Sequence, residues 1–144
     1  MRKTAFRKSA IVLLALCVLL VLSAYDSGKM QDYYSQRENY INASGTIIRI
    51  AYNEDATALY IDFSELTPDF DDTCFKIVGD NLQTVRDNGI DEKLKPGDRV
   101  DFVTAPRYFG DGYVMPIVAV SIDGDCLLEF EDGFEGLLAW LEAE

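Results

Sequence analysis

The stretch from Lys95 to Asp123 constrains the fold of this chain more than any other. It opens with a Lys95-Pro96-Gly97-Asp98 turn signal, continues as an alternating run, passes through Gly110-Asp111-Gly112 and returns as a second apolar run. A three-residue loop containing glycine between two such runs is typical of a β-hairpin, because Gly112 can take the left-handed conformation. The sequence therefore predicts two antiparallel strands that reverse at Asp111.

Centring the reversal on Asp111 fixes a testable register, with Phe109 opposite Tyr113 and Phe102 opposite Val120. Opposed residues share a sheet face. One face then collects the larger apolar side chains: Val100, Phe102, Thr104, Val118, Val120 and Ile122. The other face is smaller and more polar: Asp101, Val103, Ala105, Ile117, Ala119 and Ser121. Pro106 falls opposite Pro116, and since proline donates no ladder hydrogen bond, this end is predicted to be an edge, a bulge or a projecting arm.

The N-terminus has the pattern of an export segment. Four basic residues (Arg2, Lys3, Arg7 and Lys8) precede an uninterrupted apolar run from Ala10 to Ala24. This pattern predicts a secretory signal or an uncleaved signal anchor over 1–24, which would hold the protein at the membrane, with the remaining chain outside the cytoplasm. A spacer over 25–39, either a short helix or a linker, leads into a domain over 40–144.

The part of the chain after the apolar run is strongly acidic. All 25 acidic residues follow that run, and removing the first four bases leaves nine of the 13 basic residues, so the formal net charge there is −16. Such a charge repels phosphate backbones and argues against nucleic acid as a ligand. Histidine is absent from the sequence. His-based triads, general bases and imidazole metal ligands are therefore excluded.

Two thiols and two acidic clusters are the remaining candidates for chemistry. Cys74 and Cys126 can pair in an oxidising compartment, or remain as two buried thiols. The acids cluster in two places: Asp69, Asp71 and Asp72, and Asp123, Asp125 and Glu129. Neither cluster has the ligand spacing of a calcium loop, and no cofactor-binding motif is present. The sequence predicts no metal, no cofactor and no enzyme activity.

The other apolar patterns predict the remaining elements. Strands are predicted over Gly45 to Tyr52, Thr57 to Phe63 and Cys74 to Val78, with Leu59, Ile61 and Phe63 facing inward. A short helix is predicted over Asp80 to Asn88, with Asp80 or Asn81 as its N-cap, and an amphipathic terminal helix over Phe134 to Leu141.

The chain resembles small exported bacterial OB-fold-like (oligonucleotide/oligosaccharide-binding fold) proteins in this order of elements. The resemblance rests on the segments Gly45 to Ile50, Leu59 to Phe63, Phe75 to Val78 and Leu94 to Phe102 and covers about 40–125. It implies a mainly β fold: a five-stranded OB-like barrel with a short helix between strands three and four, an N-terminal apolar helix and a C-terminal amphipathic helix. An SH3-like barrel or a small sandwich fits the same pattern.

The resemblance also implies a ligand site on two loops and on the outer face of strands two and three. The residues there are Tyr52, Tyr60, Arg107, Tyr108, Phe109, Asp111 and Tyr113. Nucleic-acid-binding grooves of this fold are basic, whereas these loops are acidic, which suits a sugar, a cationic ligand or a basic protein surface better. Alternatively, Tyr108, Phe109 and Tyr113 stabilise the hairpin as cross-strand aromatic neighbours.

The sequence thus predicts a non-catalytic binding module that acts outside the cytoplasm. Its expected ligand is a glycan, a cation-bearing small molecule or an envelope protein. The alternative is a structural adaptor that docks a basic partner through its acidic surface, which salt would weaken.

Overall fold

A computed structural model describes residues 11–19, 28–106 and 114–143, and the protein is mainly β. The strands are β1 (Ile41–Tyr52), β2 (Ala58–Thr67), β3 (Cys74–Val78), β4 (Arg99–Thr104), β5 (Met115–Ile122) and β6 (Asp125–Leu128). The helices are an apolar segment at 11–19, α1 (28–34), a 3-10 turn (Arg37–Asn39), α2 (Asp80–Asp87), α3 (Ile90–Lys93) and α4 (Phe130–Ala143).

Five of the strands close into a ring. The sheet order is β3-β2-β1-β4-β5-β6, and a parallel pairing of β3 with β5 joins the two sides. Phe75 lies opposite Met115 and Lys76 opposite Pro116 at this closure. β6, which the sequence reading missed, is a sixth strand that pairs with β5.

Aromatic side chains fill the inside of the ring. The rings of Phe63 and Phe102 stack with centroids 4.8 Å apart, and Phe75 meets both edge-on at 5.7 and 5.0 Å. Leu59 and Ile61 are buried beside them. The inward orientation that the sequence predicts for Leu59, Ile61 and Phe63 is therefore confirmed. Burial of these large apolar side chains is the main force that stabilises the ring.

The central hairpin has the predicted register over its first half only. Phe102 lies opposite Val120, but a bulge follows Val103 and sets Thr104 opposite Ile117 instead of Val118. The predicted faces are therefore wrong beyond this point: Ile117 enters the core, and Val118 packs on the outside of the ring.

The same bulge changes the position of the two prolines. Shifting the register by one residue separates Pro106 from Pro116, so the predicted opposition of the two is wrong. Pro116 instead lies inside β5, where its carbonyl accepts a hydrogen bond of 2.7 Å from the buried Thr104 hydroxyl. The reversal itself, with Phe109 and Tyr113, lies outside the described residues.

Helix α2 begins at the predicted residue and ends at Asp87, one residue before the predicted end, but it does not have the predicted cap. Gly79, with φ 62°, stands at the N-cap and makes no side-chain capping bond. Asn81 is instead buried, and its amide donates a 2.8 Å hydrogen bond to the carbonyl of Gly133 in α4. Asn81 therefore joins two helices rather than capping one.

The terminal helices pack on the outside of the ring. Helix α4 begins at Phe130, four residues before the predicted start, and buries Phe134, Leu137 and Leu141 as its pattern predicted. Residues 28–34 adopt the helical alternative for the spacer, and Tyr34 is fully buried against α4. Residues 28–40 are thus packed against the domain rather than separate from it.

Two further predictions concern the apolar run and the cysteines. Residues 11–19 are helical with exposed side chains, and no helix within the described residues is long and apolar enough to cross a membrane. Cys74 and Cys126 are both free thiols, so the considered disulfide is not formed. They lie near opposite ends of β5, because Cys74 precedes the pairing with Met115, whereas Cys126 pairs with Ser121. Six residues along a strand separate them by roughly 20 Å, too far for a disulfide.

Candidate functional site

The predicted site residues Tyr52 and Tyr60 lie on opposite faces of the sheet. Tyr52 pairs with Leu59, whereas Tyr60 pairs with the next residue of β1, Ala51. Tyr52 packs against the inner core and Tyr60 against the outer apolar cluster. The structure therefore does not bring these two tyrosines into one ligand site.

Contacts with α2 and α3 already occupy the ring and hydroxyl of Tyr52. Its hydroxyl donates a 2.5 Å hydrogen bond to Asp91, and the guanidinium of Arg86 lies 5.1 Å from its ring centroid. Burial, followed by the hydrogen bond to Asp91, raises the pKa of Tyr52 to about 12. The phenol is therefore neutral at physiological pH and links the end of β1 to the helices.

The outer face around Tyr60 is covered by the protein itself. Lys76 lies opposite Tyr60 on β3, is buried, and places its Nζ 4.8 Å from the ring centroid of Trp140 in α4. The predicted ligand face of strands two and three is thus partly occupied by side chains of α4. The other predicted site residues (Arg107, Tyr108, Phe109, Asp111 and Tyr113) lie outside the described residues.

A groove of about 380 Å³ crosses the outer face of β1, β4, β5 and β6. Its floor includes a cross-strand row in which Asp101 pairs with Ser121, and Ser121 pairs with Cys126. A neighbouring row of Val103 and Ala119 supplies small apolar side chains. Because these side chains are short, the groove is open along the sheet.

Glu129 and Phe130 close one end of the groove, where the chain leaves β6 and enters α4. The ring of Phe130 is held edge-on by Tyr40 at a centroid distance of 5.5 Å. The residues that line the groove include the carboxylates of Asp101 and Glu129 but neither lysine nor arginine. The groove is therefore an acidic concavity with one aromatic wall.

Two cations lie near the ends of the groove and have partners of their own. Arg37 pairs with Glu131 and lies over the ring of Phe134 at 4.5 Å. Arg99 donates hydrogen bonds of 2.9 Å to the Ser44 hydroxyl and to the carbonyl of Glu65. Neither guanidinium forms an ion pair with Asp101 or Glu129 among the described contacts.

The thiol in the groove, that of Cys126, is less ionised at neutral pH than an ordinary cysteine. Burial and a hydrogen bond to Glu129 raise the pKa of Cys126 above its ordinary value. Burial, followed by a hydrogen bond to Asp62, raises the pKa of Cys74 to about 12. Reactive cysteines usually have lowered pKa values, and both of these thiols are shifted in the opposite direction.

Sequence reasoning identified part of this groove without recognising it. The hairpin register placed Asp101, Val103, Ala119 and Ser121 on one small, polar face, which is the floor of the groove. It missed Cys126 and Glu129 because the short β6 was not predicted. A period-two reading of Asp125 to Leu128, next to the Asp123-Gly124 turn, was the available signal.

No group of three or more metal-ligating side chains occurs among residues 11–19, 28–106 and 114–143. The chain matches no protein-family model and none of the curated proteins with which it was compared.

Proposed function

We propose that this protein is a non-catalytic binding module of OB-like fold that acts outside the cytoplasm and binds a cation-bearing small molecule in the groove. The closed ring of five strands, with α2 between the third and fourth, supports the OB-like assignment over a sandwich. The basic residues before the apolar run support export.

The observation that carries the ligand class is the composition of the groove. Asp101 and Glu129 offer carboxylates at its surface, and Phe130 offers an aromatic wall. Ammonium groups are recognised by carboxylates through charge-assisted hydrogen bonds and by aromatic rings through cation–π attraction. The volume lies within the range of small-molecule sites, roughly 300–1,000 Å³.

A calorimetric titration of the full-length protein in detergent micelles with spermidine tests this assignment. Saturable binding is expected, and the Asp101→Asn, Glu129→Gln double variant is expected to weaken it about tenfold or more, the equivalent of about 1.4 kcal/mol. The matched control is Asp132→Asn, Glu142→Gln, which removes two exposed carboxylates from α4 instead. Equal weakening by both double variants would contradict a site in the groove.

Docking of a basic protein partner is a second candidate, favoured by the surface of α4. Glu131, Asp132, Glu135 and Glu142 are exposed on this helix, and its last turn has no basic residue. If this candidate is right, the Asp132→Asn, Glu142→Gln variant is expected to lose binding of polylysine, used as a probe for a basic partner. Strong dependence of that binding on salt would support a surface contact.

The proposed location has its own test. A fusion to a reporter enzyme that is active only outside the cytoplasm is expected to be active when residues 1–24 are present. Replacement of Arg2, Lys3, Arg7 and Lys8 by glutamate is expected to abolish that activity, because positive charge before the apolar run directs its orientation. Unchanged reporter activity would contradict the export assignment.

A further inference from the structure

A second concavity, of about 350 Å³, lies between the loop after β1, helix α2 and helix α4. Thr57 comes from the loop, Gly79, Gln83 and Arg86 from α2 and its cap, and Trp140 from α4. It is separate from the acidic groove and shares no lining residue with it. None of the residues that line this second pocket carries a carboxylate, although acids outnumber bases in the chain by 25 to 13.

Trp140 is held in the pocket by close packing on one side. A side chain at Gly79 would come within 3.1 Å of the indole, and the positive φ of 62° there also favours glycine. Lys76 lies over the same indole at 4.8 Å. The ring is half-buried, so it is fixed in place but still contributes surface to the pocket.

The polar groups around the indole include both hydrogen-bond donors and acceptors. Gln83 lines the pocket, and its amide nitrogen donates to Asp87 at 2.8 Å. The same amide carries a carbonyl oxygen that can accept a hydrogen bond. Arg86 supplies exposed donors beside it, since its contact with Tyr52 is through the face of the ring. The Thr57 hydroxyl donates to Asp55 and accepts from Asn53, so the loop is held in shape.

We propose that this pocket binds the ring of a neutral sugar, with the indole of Trp140 as the platform and Gln83 and Arg86 as hydrogen-bonding partners for its hydroxyl groups. A pyranose has an apolar face of C–H groups that suits an aromatic surface and a rim of hydroxyls that both donate and accept. Asp55 and Asp87 accept hydrogen bonds from the lining residues Thr57 and Gln83, and this nearby negative charge disfavours an anionic ligand. This site is independent of the cation-binding groove.

Trp140 is the only tryptophan in the sequence, so intrinsic fluorescence reports on this pocket directly. The full-length protein is titrated with methyl β-glucoside, methyl β-galactoside and N-acetylglucosamine, with glycerol as the control for solvent effects. At least one sugar is expected to cause a saturable change in tryptophan emission. Glycerol is expected to cause only a linear drift.

Variants then locate the binding. Gln83→Ala, at an exposed position, is expected to weaken the sugar by roughly fivefold or more, as loss of one hydrogen bond implies. Asp101→Asn in the acidic groove is the matched control and is expected to leave sugar binding unchanged. Trp140→Phe, measured by saturation-transfer NMR, is expected to reduce contact with the sugar without preventing it.

Either of two results overturns the proposal: no saturable response to any of the three sugars, or the same affinity in Gln83→Ala as in the wild-type protein. Failure here is distinguishable from failure of the cation-binding groove, because the two pockets share no lining residue. Gln83→Ala is expected to leave spermidine binding unchanged, and Asp101→Asn is expected to leave sugar binding unchanged.

Discussion

At the scale of single residues, the polar side chains act mainly by joining elements. Tyr52 links β1 to α3 through Asp91, and Asn81 links α2 to α4 through the carbonyl of Gly133. The sequence predicts other roles for both residues: Tyr52 as an aromatic ligand-binding residue and Asn81 as a helix N-cap. Local sequence gives the type of side chain and its hydrogen-bonding capacity, but the partner lies 39 residues away for Tyr52 and 52 away for Asn81.

The contact between Tyr52 and Asp91 predicts a pH dependence. Because the pKa of Tyr52 is raised to about 12 from an ordinary value of 10.0, the folded state keeps its proton where the unfolded state loses it. Stability from this residue is therefore complete below about pH 10 and is lost as the pH rises towards about 12. Ultraviolet absorbance titration should show a late-titrating component that Tyr52→Phe removes. Asp91→Ala should move that titration to lower pH, and an unchanged curve would contradict the contact.

The neighbouring carboxylate predicts how fast Cys126 is alkylated. Burial and Glu129 both raise the pKa of this thiol, so Glu129→Gln should increase the thiolate fraction and speed alkylation at pH 8. Iodoacetamide labelling followed by peptide mass mapping separates Cys126 from Cys74 and Cys17. Glu131→Gln is the control, since Glu131 pairs with Arg37 instead. Equal labelling rates in the wild-type protein and in Glu129→Gln would show that the carboxylate does not act on the thiol.

At the scale of elements, strand and helix types could be predicted, whereas bulges could not. The alternation of Leu59, Ile61 and Phe63 correctly predicts which face of β2 is buried, because the strand is regular at these residues. The bulge after Val103 depends on pairing with β5, and it exchanges the faces of Ile117 and Val118. A one-residue shift of register moves side chains to the other face, so the core could be predicted only up to that point.

Because α4 packs closely on β5, adding one methyl group at Gly133 is expected to lower the stability of the fold markedly. A Cβ added at Gly133 would lie 1.7 Å from the carbonyl oxygen of Val118, so Gly133→Ala must displace the helix. We expect a loss of about 1–3 kcal/mol or more in the free energy of unfolding, as for other overpacked sites, measured by denaturant unfolding. Gly28→Ala in α1 is the matched control, because nothing lies within 4 Å of the added atom. Equal stability of the two variants would contradict the packing.

At the scale of the whole molecule, the net charge follows from composition, but the ligand face could not be predicted from the sequence. The resemblance directed attention to Tyr60 and the outer face of strands two and three. Side chains of α4 and the buried Tyr34 belong to the same apolar cluster as Tyr60 and occupy part of that face. The sequence does not reveal this packing. The amphipathic pattern of Phe134, Leu137 and Leu141 predicts that a helix packs against the domain, but not which surface it contacts.

The acidic composition predicts that salt stabilises the fold. With a net charge of −16 after the apolar run, repulsion among carboxylates disfavours the compact state. Raising ionic strength from 0.01 to 0.1 M shortens the screening length from about 30 to about 10 Å. We therefore expect the melting temperature to rise by a few degrees, and by less in Asp132→Asn, Glu142→Gln. A melting temperature that falls with salt would show that ion pairs dominate instead.

The most direct test of a cation-binding groove is to map where spermidine binds. Two-dimensional NMR of the full-length, isotope-labelled protein in detergent micelles gives this residue by residue during a titration. We expect saturable shifts concentrated at Asn42, Asp101, Ser121 and Cys126, with small changes at the acidic residues of α4. Shifts that spread over α4 and the loop at Asp69 to Asp72, with none at Asp101 and Ser121, would contradict it.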